Sequence, residues 1–400
     1  MKLLANLIGG VMAIVMVACT PQTRPYEVSN LLDYTIKDKT VVLTVDEVTA
    51  YLPLAKDGKA IVVKDDSGTA LPTQNDDLDG DGKWDELAFL IDVEAHSVRS
   101  VVFHYADEGV LESFPKRTNV RFGYKNEPCD EITSENRLKS TDSPTIQAII
   151  QMEGPAWEND VVGFRNYYDA RNGMDIFGKK TTEMALDHVG IRGQKYHELD
   201  DWGMDILKVG NSLGAGAIAL QIGDSLHRIG PCEEGGYRFI TEGPVRAMYE
   251  LTFKGFSAQG RRYNITHRIT IHAGEHFYRS KIWIDGLQGD EYLVTGIVDK
   301  HELPVIQVTS GKYQIIATHG AQAYTHEKLG LAILVKTDGL SEQYAAPKVG
   351  EGIVETHLAK LKNQPPVEFA FLVGWEYQDA NFSSQDYFIE LCRKSVDRLE

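Results

Sequence analysis

The chain lacks most of the short signatures by which a sequence announces its chemistry. Its 400 residues contain no P-loop, no His-Glu-x-x-His helix and no Gly-x-Gly-x-x-Gly dinucleotide fingerprint. "VGNSLGAGAIAL" is glycine-rich but has neither that spacing nor a Rossmann context. Positive charge is also scarce. Lys and Arg number 41 against 58 Asp and Glu, for a net charge of -17. Such a chain repels phosphate backbones, so nucleic acid is not an expected partner. Cysteine is nearly absent, with 4 residues in all. Once Cys19 is set aside, Cys129, Cys232 and Cys392 match no metal-ligand spacing. One oxidised pair with a spare thiol, or three inert buried thiols, both remain open. Repeats, low-complexity runs and long linkers are missing too.

Long apolar runs are confined to the start. "MKLLANLIGGVMAIVMVACT" has one cation, Lys2, an apolar run from Leu3 to Val17, and then Ala18-Cys19. The run is too short for a good span and predicts a signal peptide over residues 1–18. The small residue before Cys19 resembles a bacterial lipobox, with Met16 where leucine is usual. That resemblance implies lipidation of Cys19 and a place in the bacterial cell envelope. Membrane contact would then come through the lipid anchor only. An ordinary secretory signal is the alternative.

What is present is mostly strand. "KTVVLTVDEV", "ELAFLIDV" and "HSVRSVVFHYAD" are short, β-branched and bounded by polar turns. With the tether they predict an N-terminal β-module over 19–112. Strands return from about residue 236, and only "SSQDYFIELCRKSVDRLE" reads as a helix, with serine to cap it and basic residues towards its end. The expectation is an all-β chain with a terminal helix and a large antiparallel domain over 113–400.

One hairpin can be read in register. In "RRYNITHRITIHAGEHFYRSKIWIDG" Tyr263, Ile265, His267, Ile269 and Ile271 share a face. An even-length turn sets Ile271 opposite Tyr278. A three-residue turn would bring Ile269 against Arg279 and bury charge. The even register leaves a polar face with Arg268, His272, Arg279, Lys281 and Trp283. Cations beside a flat ring suit an anionic sugar, a uronate for example. A solvated sheet face is the plainer alternative, and His267 on the isoleucine face reads as a core histidine.

The middle of the chain reads as long functional loops. "AWENDVVGFRNYYDA" and "QKYHELDDWGMD" crowd Trp157, Glu158, Asn159, Arg165, Tyr167, Tyr196, His197, Asp201 and Trp202 together, with Lys179 and His188 between them. A lyase would need a carboxylate neutraliser, Arg165 or Asn159, and a base such as His197 or Tyr196, with His188 the next candidate. A hydrolase would need two carboxyls, and Glu158 and Asp201 are the pair to test. Trp157, Tyr167, Lys179 and Trp202 join the hairpin residues as candidate sugar contacts. Wet polar loops anchored by tryptophan would look the same.

"DLDGDGKWDEL" resembles the opening of an EF-hand calcium loop. Asp77, Asp79 and Asp81 fall at positions 1, 3 and 5, Gly82 at the tight turn, and Asp85 at position 9. Position 12 is Ala88, where a bidentate glutamate is required, and the flanks read as strands. An EF-hand is therefore excluded. An acidic turn or a calcium turn of another kind both fit, and no other cofactor or metal is expected.

Together with "WENDVVGFRNYYDARNGMDIFGK", "YHELDDWGMDILKVGNSLGAGAIAL" and "GPVRAMYELTFKGF", this turn resembles domain-of-unknown-function family 4861. The resemblance implies envelope proteins of glycan-degrading bacteria that accompany enzymes of pectin and unsaturated uronates. The C-terminal half also resembles the galactose-mutarotase-like supersandwich. That fold hosts epimerases, hydrolases and lyases, so it selects no activity. The expected role is a carbohydrate-active protein for uronate-containing oligo- or polysaccharides, of lyase or hydrolase type. A non-catalytic glycan-binding protein and an aldose-epimerase-like mutarotase are the alternatives.

Overall fold

The computed structural model describes residues 24–52, 59–107, 109–125, 129–138, 150–191 and 193–400. Cys19 and the apolar leader lie outside the described residues.

The N-terminal module is two small antiparallel sheets. One joins Tyr26–Asn30, Ser97–Tyr105 and Ile61–Asp65; the other joins Ile36–Thr44, Glu86–Val93 and Thr73–Asp76. Their alternating apolar residues meet in a core of Val48, Ile61, Val63, Trp84, Leu87, Phe89, Ile91 and Phe103. Between the strands sits the turn Val45–Thr49, held by a reciprocal capping box of Thr44 and Glu47.

The body is built on a nine-stranded antiparallel sheet. Its centre is Val367–Trp375, Phe277–Asp285, Arg261–His272 and Arg246–Ala258 in that spatial order. A five-stranded sheet, with Ala215–Ile222, Glu291–Val298 and Thr356–Lys362 at its middle, packs on one face. Ile265, Ile269, Ile271, Tyr278, Ile282 and Phe371 meet Leu220, Leu293, Ile297, Leu358 and Leu361 in one core. The register sets Ile271 opposite Tyr278 and Arg268 opposite Lys281, as the even turn predicts.

The helix Gln385–Asp397, capped by Ser384, covers one end of the other face of the large sheet. Phe388, Cys392 and Val396 fall at helical spacing and pack on Phe277, Tyr313, Leu334 and Leu372. Close approach requires glycine at 330 and 374, because a Cβ at either would run into Phe388. The N-terminal module leans on the same face through Ala88 and Leu90 against Val245 and Ala273.

The middle segment differs from the loop reading. Thr118–Arg121, Ala156–Asn159, Val162–Asn166, Met174–Lys179 and Gly203–Asp205 form a second five-stranded sheet. Its strands have 3 to 6 residues and their described side chains are buried throughout. Strands buried on both faces carry no period-two alternation, and here much of what they bury is charged. Trp157 and Phe164 face the main core, stacked on each other and edge-on to Tyr278.

Candidate functional site

The polar face of the hairpin is one wall of a cleft. The cleft holds about 350 Å³ between the large sheet, the N-terminal module and the end of the C-terminal helix. Arg268, His272, Arg279 and Lys281 line it, as do Arg246, Lys336 and Tyr313 from other strands of the sheet. Val42 and Glu86 close it from the N-terminal module, and Leu399 from the C-terminus. Five side chains of its wall carry fixed positive charge (Arg246, Arg268, Arg279, Lys281 and Lys336), against the carboxylates of Glu86 and Glu368.

Carboxylates behind the wall hold these cations in place. Arg246 bridges the two halves of the chain, with Nε 2.6 Å from Asp76 and Nη2 2.7 Å from Glu86. Arg268 donates from Nε to Glu250 at 2.9 Å. Arg279 grips Glu275 with both terminal nitrogens, at 2.5 and 3.1 Å. Lys281 and Lys336 share one partner, Glu368, at 3.2 and 3.8 Å. These lysines stay 42% and 56% exposed, so they are free to turn to an incoming anion. Trp283 continues the same face, with Arg268 and Lys281 at 5.3 and 5.5 Å from its ring.

His272 brings an imidazole to this wall. It is buried, its Nδ1 has no hydrogen-bond partner, and Glu275 Oε2 lies 3.7 Å from that nitrogen. Burial first, then the charges of Arg279, Arg246 and Arg398, push its pKa well below the ordinary histidine range. Asn159 fixes the backbone here, donating from Nδ2 to the carbonyls of His272 and Glu275 at 2.5 and 2.7 Å.

The remaining candidates gather elsewhere. Arg165 is 1% exposed and donates to Asp175 at 2.7 Å, Asp205 at 2.9 Å and the Tyr167 hydroxyl at 2.8 Å. Tyr196 OH and Met152 O, both at 3.1 Å, complete its shell. Burial, then the Asp175 carboxylate, pushes Asp205 far up its range; the Arg165 charge opposes this. His197 reaches the same Asp205 with Nδ1 at 3.3 Å, its side chain 53% exposed. Burial and then Arg165 lower its pKa.

Glu158 and Lys179 form a wholly buried ion pair, 2.5 Å between Oε2 and Nζ. Glu158 also accepts from the amides of Ala185 and Leu186, so it holds down the following loop. Trp157 is core, Trp202 half-buried against Phe177, and His188 and Asp201 are exposed. No described residue from 157 to 205 lines the cleft. Phe164 faces the main core and Arg165, next in the strand, points the other way. The Arg165–His197 group and the cleft therefore lie on opposite sides of the packed sheets.

Sequence alone does not find Arg246, Lys336 and Tyr313, because the sheet gathers them from separate strands. For Arg246 a signal exists: in "VRAMYEL" Arg246, Met248 and Glu250 alternate onto one face. One spacing match carries no chemistry. Gly210-Asn211-Ser212-Leu213-Gly214 reads Gly-x-Ser-x-Gly. Ser212 is fully buried, with its hydroxyl on Val209 O at 2.6 Å, and a strand rather than a helix follows it. It is no nucleophile elbow.

The acidic turn is knit by its own amides. Asp77 accepts from Gly80 and Gly82 at 2.6 and 2.8 Å, and Asp85 from Leu78 at 2.7 Å. Asp77, Asp79 and Asp85 each bring a carboxylate oxygen within 4.8 Å of the others, whereas Asp81 turns to the Lys83 amide.

A family model described as "Domain of unknown function (DUF4861)" matches residues 28–400. The chain belongs to that family. Both halves of the cleft lie within the matched residues. The chain is also 26% identical over 222 residues to "Uncharacterized protein P7" of Formosa agariphila, spanning 54% of this chain and 52% of that protein. Among solved structures it resembles an alpha-mannosidase from Enterococcus faecalis V583, with a TM-score of 0.41 at 12% identity. That match covers 92% of this chain and 45% of the other. A protein in the Glycosyl Hydrolase Family 38 from Enterococcus faecalis gives a TM-score of 0.42 at 10% identity, covering 92% and 46%.

Proposed function

We propose that this member of the family is a carbohydrate-active protein of the cell envelope whose cleft takes uronate-containing, pectin-like oligosaccharides. One observation carries the reading. In a chain of net charge -17, five cations converge on a cleft of about 350 Å³ whose sheet face continues to a cation-flanked tryptophan. Uronate carboxylates match the arginine forks and lysines, and the apolar face of the sugar ring matches Trp283. The carboxylates already paired with those cations position them, and the exposed lysines exchange Glu368 for substrate.

Calorimetric titration with galacturonate oligosaccharides tests this. Binding should weaken as salt rises and should fall when Lys281 and Lys336 are both replaced by alanine. Each exposed lysine is worth roughly 0.5–1 kcal/mol, so the double variant should bind about five- to thirtyfold more weakly. Equal affinity of wild type and double variant would exclude the cleft as the binding site.

A further inference from the structure

The cleft holds an imidazole that the binding of an anion does not use. His272 sits in its wall, buried, between Arg246 on the preceding strand, directly opposite in register, and Arg279 on the following one. His267 in the core has one ring nitrogen paired, Nε2 with Ser280 Oγ at 2.9 Å, and its Nδ1 without a partner; His276 Nδ1 meets Val373 O at 3.3 Å. His272 Nδ1 has no partner, and the Glu275 carboxylate lies 3.7 Å from it, beyond hydrogen-bond distance. Glu275 is 1% exposed at its side chain and is itself clamped by Arg279. The backbone on both sides of this contact is pinned by Asn159. An imidazole in the wall of a cationic cleft, on a backbone held in place, is a base that the cleft can present to a bound sugar.

We propose that His272 is the proton-abstracting base of a β-elimination on a 4-O-linked uronate held in this cleft. This rests on the uronate reading of the cleft. The neutral imidazole carries a lone pair on one ring nitrogen. That lone pair takes the proton from C5 of the uronate. The C5–H electrons form the C4=C5 double bond, and the C4–O bond breaks with its pair going to oxygen. The leaving oxygen takes a proton from water, and His272 returns its own to solvent. Atoms and electrons balance without a metal or a redox partner.

The charges facing His272 fit this task. Arg279, Arg246 and Arg398 oppose its protonation in the empty cleft, while Asp76 and Glu86 hold Arg246, and Glu275 holds Arg279. An arriving uronate carboxylate offsets those cations, so the imidazolium becomes tolerable only when substrate is bound. The same arginines stabilise the charge that builds on the carboxylate as C5 loses its proton.

The test is incubation of the full chain with galacturonate and glucuronate 4-linked oligosaccharides, reading the ultraviolet absorbance of the C4=C5 conjugated carboxylate. Wild type should generate it, and His272→Gln should bind the same oligosaccharides within about threefold but turn them over about a hundredfold more slowly or less. Binding by wild type without unsaturated product overturns this inference and leaves the uronate reading standing. No binding by wild type removes both. Equal turnover by His272→Gln assigns the base to another residue and overturns the inference. Should His272→Gln fail to fold, the wild-type pH profile decides: the rate at saturating substrate should fall tenfold per pH unit on the acid side. A rate that does not fall down to the pH at which the fold is lost, or that rises as pH falls, overturns it.

Discussion

Replacing Arg165 by methionine separates a buried structural hub from a substrate-binding arginine. Methionine keeps much of the volume but removes the charge and every donor. Asp175 and Asp205, each 1% exposed, then lose their shared cation. Tyr167 OH, Tyr196 OH and Met152 O lose a donor at the same time. Breaking a buried ion pair from one side costs about 3–5 kcal/mol, because the stranded charge stays behind. That is a large share of the roughly 5–15 kcal/mol by which domains of ordinary stability fold. The penalty should shrink in acid, since protonating the two carboxyls relieves the stranded charge. Burial and Asp175 already push Asp205 upward, so relief should begin above the usual carboxylate range. Urea unfolding at pH 7 and pH 5 (bracketing the usual carboxylate-to-histidine range) gives both numbers. Adding Asp175→Asn to Arg165→Met should recover part of the loss. Stability within about 0.5 kcal/mol of wild type, together with lost oligosaccharide binding, would refute the hub and put Arg165 in contact with sugar.

Other outcomes follow from the same geometry. His267 is fully buried and desolvation lowers its pKa to about 3, so the folded chain keeps it neutral while the unfolded chain takes a proton below about 6.5. Its folded pKa is depressed, so stability is lost as pH falls: about 2 kcal/mol between pH 7 and pH 5, a slope that His267→Leu should lack in parallel urea titrations. Asn159→Ala strands the carbonyls of His272 and Glu275 and should cost roughly 1–3 kcal/mol, read as a lower unfolding midpoint. Gly330→Ala drives a Cβ into Phe388 and should loosen the C-terminal helix, raising amide exchange over 385–397 before the sheets respond.

The hairpin is legible in the sequence because its strands alternate cleanly and only one register keeps charge out of the core. Alternation alone therefore places Arg268, His272, Arg279 and Lys281 on one polar face. Arg246, Lys336 and Glu86 cannot be added that way, because strand order rather than sequence distance brings them to the cleft. The middle segment misleads for a physical reason. Arg165, Asp175 and Asp205 neutralise one another inside a small sheet, so residues that look wet are buried. Clustering in sequence marks Glu158 and Lys179 as chemical, and their mutual ion pair consumes both.

A cleft built on these cations should read the carboxylate of its sugar. Calorimetry with a galacturonate oligosaccharide and its carboxyl-reduced, neutral counterpart tests this most directly. The acidic sugar should bind wild type at least tenfold more tightly than the neutral one, and most of that gap should close in the Lys281→Ala, Lys336→Ala double variant. Equal affinity for both sugars, or a gap that the double variant leaves intact, would contradict it.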